Sequence, residues 1–149
     1  MQTFVPYEVH EYTAEFLDNK RLFKQIVECK QILLALDDPG YGWQNHPAVR
    51  MWRGHDEALA EYTVVLCAEW RYRGTLRPSR APYRESISEW VMVHYDYMSP
   101  TLPPWWGGPI HKTHVYKLLW KDPEWYGKKL GYIAPKIEPA YFWPLAKES

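Results

Sequence analysis

The sequence predicts an all-α fold: a compact single-domain helical bundle over residues 1–149, with an extended, proline-rich C-terminal tail. Three observations carry that prediction. A chain of 149 residues is long enough to bury one core and short for two. Apolar residues recur at steps of three and four over several long stretches, the period of helices that bury one side. The prolines and glycines, 13 and 8 of them, fall largely in the connections between those stretches, where they end helices and form turns.

In chain order, Met1 to Tyr7 is short and extended, stopped by Pro6. A first helical segment is expected near Thr13 to Leu17. Asp18 can cap the main helix, which runs to about Leu36 before DDPGYG breaks it. In NHPAVRMWRGHDEALAEYTVVLCAEWRYRG, Asn45 is a plausible cap and Pro47 an early helical residue. Gly54 interrupts the pattern, which Ala58, Leu59, Tyr62, Leu66, Cys67 and Trp70 then continue to Gly74. Thr75 to Pro82 reads as a basic loop carrying Arg77 and Arg80, with Arg84 just beyond. Another helix is expected from Glu85 to Tyr97 and, after the SPTLPPWWGGP loop, a last one from about His111 to Trp120. The end, GYIAPKIEPAYFWPLAKES, has no helical period and should wrap over the surface.

The main helix carries the strongest functional signal. Leu22, Ile26, Cys29, Leu33 and Leu36 form its apolar stripe, and Arg21, Lys24, Gln25, Glu28 and Gln31 a polar one. On that polar stripe Glu28 is a lone acid one turn from Lys24 and about two from Arg21, a setting that favours its charged form. A solvated face with ion pairs one turn apart would give the same periodicity. The mixture of amides, bases and a single acid, without Glu/Lys alternation, points to a working face.

Composition bounds the partners. Nine Trp and twelve Tyr are more rings than a core of this size needs, and exposed rings stack on bases, sugars or partner proteins. A formal net charge of zero argues against binding driven by bulk charge alone. Its distribution is uneven, however: residues 1–62 hold 6 Lys/Arg and 10 Asp/Glu, residues 63–149 hold 12 and 8. Cys29 and Cys67 sit in apolar helical patterns and read as buried, reduced thiols. With no basic-then-apolar leader and no stretch long enough to span a bilayer, a cytoplasmic protein with no membrane partner is expected.

Other constellations are weaker. His46, His55, His111 and His114 lack the cysteine or carboxylate spacing of a closed zinc site, so no metal is expected. Trp105-Trp106-Gly107-Gly108 could be a base-stacking wedge or, more simply, a tight turn with its rings packed inward. KDPEWYGKKLGY interleaves Trp125, Tyr126 and Tyr132 with Lys121, Lys128 and Lys129. That composition suits a nucleic-acid strand, cations on phosphate and rings on sugar or base, and equally a surface helix.

Three pieces together resemble the small all-α pyrimidine-dimer DNA glycosylases of the phage endonuclease V type, and their bacterial and phage relatives. They are LDNKRLFKQIVE, with Leu22 and Glu28; NHPAVRMWRGHDEAL, with Gly54-His55 before a long helix; and DPEWYGKKLGY near the C-terminus. The resemblance implies that an amine at the N-terminus attacks C1′ of a damaged nucleotide, expels the base and leaves an imine. An α-amine suits this, since it titrates near 8 and keeps a neutral fraction at pH 7. A glutamate, Glu28 here, would stabilise the cationic sugar and move protons toward strand cleavage, with no cofactor.

The chain departs from the family pattern at Gln2, bulky where a small residue follows Met1, and at Val27 and Gln31, where the family has arginines. The nucleophile is then the Met1 amine or a lysine such as Lys20. The expected catalytic pair is Met1 and Glu28. The expected DNA contacts are Arg21, Lys24, Gln25, Gln31, Arg50, Arg53, His55, Trp125, Tyr126 and Lys128, the partner being damaged or modified duplex DNA. A non-catalytic binding protein using the same groove and a hydrolase of modified nucleotides are the alternative readings.

Overall fold

The computed structural model describes residues 1–74 and 81–144; Arg77 and Arg80 of the expected basic loop lie outside them. Among the described residues seven helices form and no β-sheet: α1 (His10–Phe16), α2 (Asn19–Asp37), α3 (Pro47–Arg50), α4 (Asp56–Arg73), α5 (Ala81–His94), α6 (Ile110–Lys121) and α7 (Pro123–Leu130).

The bundle is organised by α4, which packs against α1, α2 and α5. Its sequence allows this because it is apolar on more than one side. Leu59, Tyr62, Leu66 and Trp70 make a stripe, and the small Ala58 and Ala60 are also buried, letting neighbours approach closely. Helix α2 presents Leu22, Ile26, Cys29 and Leu33 to the core as expected, while Leu36 at its end is only partly covered. Cys29 and Cys67 are free and buried, and burial pushes both thiols up to about 12. Trp105 and Trp106 pack inward against Trp52, and Trp105 Nε1 donates to the Met51 carbonyl at 2.9 Å. Gly54, at φ +85°, separates α3 from α4, and Gly74, at φ +59°, ends α4 in the left-handed conformation that glycine adopts most readily.

Several boundaries differ from the sequence expectation, each for a local reason. α1 starts at His10, before Thr13, because Thr13 is already inside the helix: its hydroxyl exchanges hydrogen bonds with the Tyr7 N–H and C=O, both at 3.2 Å. α3 is capped by His46 rather than Asn45, its Nδ1 accepting the Ala48 N–H at 3.0 Å. Asp18 occupies the N-cap position of α2 without a side-chain cap. Its carboxylate is taken instead by the Tyr126 hydroxyl and by Arg21 at 3.2 Å. α5 runs from Ala81 to His94 rather than from Glu85 to Tyr97; Pro82 is tolerated because the first turn needs no N–H. KDPEWYGKKLGY contains a helix of its own, α7, with Pro123 in its first turn and the Asp122 side chain accepting the Trp125 N–H at 3.1 Å. Beyond Gly131 the described tail is irregular and lies on the helices, as its sequence suggested.

Candidate active site

The N-terminal segment is an extended strand with no sheet to join, so its backbone polar groups must find side-chain partners or lose hydrogen bonds on burial. Those partners come from α1, α2, α4, α6 and the turn before α4. Gln25 of α2 is 2% exposed; its Oε1 accepts the Phe4 N–H at 2.7 Å and its Nε2 donates to the Gln2 carbonyl at 2.9 Å. The Tyr62 hydroxyl donates to the Phe4 carbonyl, and Trp52 Nε1 to the Thr3 hydroxyl at 2.8 Å. His114 Nδ1 accepts the Val5 N–H at 2.9 Å, while His111 Nδ1 donates to the Val5 carbonyl at 2.6 Å. These bonds assign the tautomers: His114 carries its proton on Nε2, His111 on Nδ1. Two of the four histidines weighed as metal ligands thus hold the backbone of one residue. Burial keeps His114 neutral, with its pKa lowered to about 3.

This clamp delivers the chain start to Glu28. The Gln2 N–H donates to Glu28 Oε2 at 3.1 Å. The Met1 nitrogen is three bonds from the Gln2 nitrogen, which keeps the amine within about 7 Å of the carboxylate by covalent geometry. Met1 and Glu28 line one cavity of about 270 Å³, together with Gln2, Phe4, Lys20, Arg21, Lys24, Gln25, Lys121 and Tyr141. Among the described residues of that lining, Glu28 is the single carboxylate, beside four cationic side chains. Lys24 Nζ lies 3.9 Å from Glu28 Oε1, with Lys24 70% exposed; such a pair adds little stability but places positive charge at the mouth. Arg21 bonds Asp18 at 3.2 Å and reaches Asp122 at 3.8 Å, joining the cavity to the start of α7.

Of the residues singled out in the sequence, Met1, Arg21, Lys24, Gln25 and Glu28 meet in this cavity, and Lys20 with them. Gln25 needs correction. Its amide is consumed by the N-terminal strand, so it positions that strand and has no free group for DNA. Tyr126 is corrected likewise: it is 0% exposed, its ring packs on Phe16 and its hydroxyl both donates to Asp18 and accepts the Asp18 N–H at 3.1 Å. Trp125 and Lys128 line a separate shallow groove with Asp122, Glu124 and Lys129. Trp125 Nε1 donates to the Phe16 carbonyl at 3.1 Å, and Lys128 lies 3.7 Å from Glu124. Gln31 and Arg50 are outside the cavity lining, Gln31 half-buried and Arg50 exposed. Arg53 bonds the Gln44 carbonyl at 3.0 Å, and His55 Nδ1 lies 3.3 Å from the Thr101 carbonyl.

Three residues that the sequence reading did not place beside Glu28 are neighbours of the site. Lys121 enters from the end of α6; partial burial, then the charges of Arg21, Lys117 and Lys24, lower its pKa. His46 titrates below its ordinary value through burial and then the positive charge of the chain's amine, opposed by Glu28, which places it within electrostatic reach of both. Tyr141 comes from the tail, where no periodicity marks any residue; burial and then the charges of Glu138 and Glu28 raise its pKa. Among the described residues no group of three or more His, Cys, Asp or Glu is arranged to hold a metal ion, and no helix is long and apolar enough to cross a membrane.

With this geometry in view, comparison with known proteins adds one match. A family model described as pyrimidine dimer DNA glycosylase fits residues 1–81, the stretch that contains the N-terminal strand, the whole of α2 and the whole of α4. No curated protein and no solved structure matches the chain.

Proposed function

Because the chain belongs to the pyrimidine dimer DNA glycosylase family, we propose that it excises a damaged pyrimidine from duplex DNA and cuts the strand through an amine-derived imine, with Glu28 as the catalytic carboxylate. The observation that carries this reading is the shared cavity of Met1 and Glu28, with the Gln2 N–H bonded to the Glu28 carboxylate. Neutral amine nitrogen attacks C1′ of the target nucleotide as the bond from C1′ to the base breaks. The electron pair leaves with the base, which takes up a proton, and the attacking nitrogen loses one. Opening of the sugar then gives the imine. Loss of a C2′ proton expels the 3′ phosphate and breaks the strand. Glu28 is positioned to balance positive charge on the sugar and to shuttle those protons. Lys20, Arg21, Lys24 and Lys121 supply positive charge for the flanking phosphates. Putting a nucleotide within reach requires displacing it from the stack, which is easiest at a lesion.

The test is reductive trapping. Borohydride should convert the imine to a stable amine, giving a protein-DNA cross-link with ultraviolet-irradiated duplex and with abasic-site duplex. Sequencing the modified peptide then assigns the nucleophile among the amines of the cavity: Met1, Lys20, Lys24 and Lys121. Blocking the α-amine should abolish trapping if Met1 is the nucleophile. A folded, DNA-binding protein that traps on neither substrate would overturn the mechanism and leave the non-catalytic reading.

A further inference from the structure

The face formed by α1 and α4 carries a groove that shares no lining residue with the Met1–Glu28 cavity. Along α4, Glu61, Val64, Val65, Ala68, Glu69 and Tyr72 recur at steps of three and one, a stripe beside the buried one of Leu59, Tyr62, Leu66 and Trp70. α1 and the residues just before it supply Glu8, Glu11 and Glu15. Two hollows that share Glu11 and Val65 make the groove continuous. Val9, Tyr72, Met98 and Leu102, which line it, are exposed, Tyr72 by 86% and Met98 by 80%. Apolar surface gathered in this way marks an interaction site.

Charge selects the occupant. Among the described residues the groove is lined by five carboxylates and by no lysine or arginine. Glu69 is paired with Arg73 at 3.0 Å, and Glu61 Oε1 lies 3.2 Å from His10 Nε2. Glu8, Glu11 and Glu15 are exposed and, among the described residues, form no ion pair. His10 also lines the groove and is 7% exposed; with its ring proton toward Glu61, Nδ1 is left as an acceptor without a partner. Such a groove repels phosphate, so DNA does not fit it. A second copy laid against the same face would set these carboxylates against one another. A chain with apolar groups between cations fits both the floor and the rims. The stripe from Glu61 to Tyr72 covers about 17 Å at 1.5 Å per residue, about three turns of a partner helix.

We propose that this groove docks an amphipathic helix of a protein partner, its apolar side on Val64 and Val65 and its lysines or arginines on Glu8, Glu11 and Glu15. The inference is independent of the glycosylase reading, and it leaves the Met1–Glu28 cavity open while the partner is bound.

The probe is a synthetic peptide of about 15 residues, with leucine at i, i+3, i+4 and i+7 and lysine elsewhere, titrated against the full chain by fluorescence anisotropy at about 0.15 M salt, which screens bulk attraction. A scrambled peptide of the same composition and a version with glutamate for lysine are the controls. The amphipathic peptide should bind about 10-fold or more tighter than either. The double variant Glu11→Lys/Glu15→Lys, both positions exposed, should weaken it about 10-fold. Val65→Asn, which leaves the charge alone, should weaken it by a similar factor, with folding of both variants checked by thermal melting. Equal binding of the scrambled peptide would reduce the groove to bulk charge. No binding of the amphipathic peptide, or unchanged binding to the folded double variant, would remove the groove as its site. A wild-type dimer in sedimentation that the double variant dissociates would make the occupant a second copy. Each of these results overturns the proposal.

Discussion

The Gln2 N–H donates to Glu28 Oε2 at 3.1 Å, so the first peptide bond of the chain and the carboxylate of the cavity form one hydrogen-bonded unit. One carboxylate oxygen is fixed by the strand, and the other lies toward Lys24. The side chain of Gln2, which departs from the family pattern, is buried: it is 6% exposed and its Oε1 accepts the Thr3 N–H at 2.8 Å. A bulky second residue is thus accommodated beneath the site.

Glu28→Gln should preserve the fold and DNA affinity and lower turnover by about 10² to 10⁴, the range for losing a positioned acid-base group. The amide oxygen can still accept the Gln2 N–H, so the strand keeps its anchor. Cleavage rates on abasic-site duplex, with binding measured in parallel, check this; unchanged turnover would remove Glu28 from the chemistry.

Gln25→Leu keeps the volume but strands the Phe4 N–H and the Gln2 carbonyl. Each buried, unpaired group costs about 1–3 kcal/mol, so a loss of roughly 2–6 kcal/mol in unfolding free energy is expected. Denaturant titration reads the stability. DNA affinity measured on the folded variant should change little, because Gln25 acts on the strand; a selective loss of affinity with normal stability would restore it as a DNA contact.

His114 makes the fold acid-sensitive. Its folded pKa is about 3, below the ordinary 6.5, so between those values the unfolded chain binds more protons. Stability is then full above pH 6.5 and falls as the pH drops toward 3, by up to about 1.4 kcal/mol per pH unit. His10, lowered to about 4 chiefly by burial, adds in the same direction. His114→Asn retains an acceptor for the Val5 N–H but cannot titrate. Unfolding free energies between pH 7 and pH 4.5 should therefore be flatter for the variant than for wild type; identical slopes would refute the assignment.

Tyr126→Phe should cost about 1–3 kcal/mol, since the buried Asp18 N–H and carboxylate lose their partner. DNA affinity should be unaltered. Weaker DNA binding at unchanged melting temperature would contradict the structural role assigned to this tyrosine.

The all-α class, the stripes of α2, the breaks at Gly54 and Gly74 and the buried thiols were legible in the chain because each rests on spacing within one segment. The polar stripe around Glu28 was legible for the same reason, and the family from three short pieces spread over the chain. Periodicity could not tell Gln25 from its neighbours: an amide that faces water and an amide that holds another strand occupy the same position on a helical wheel. Nor could it show that Tyr126 is buried, because that depends on Phe16 and Asp18, more than 100 residues away in sequence. By itself, then, the sequence determined the helices, their buried faces and the carboxylate, through interactions a few residues apart. The tertiary structure alone decided that Lys121 and Tyr141 join the chain start and Glu28 in one cavity, because those contacts join distant segments whose pairing is set by how the helices pack.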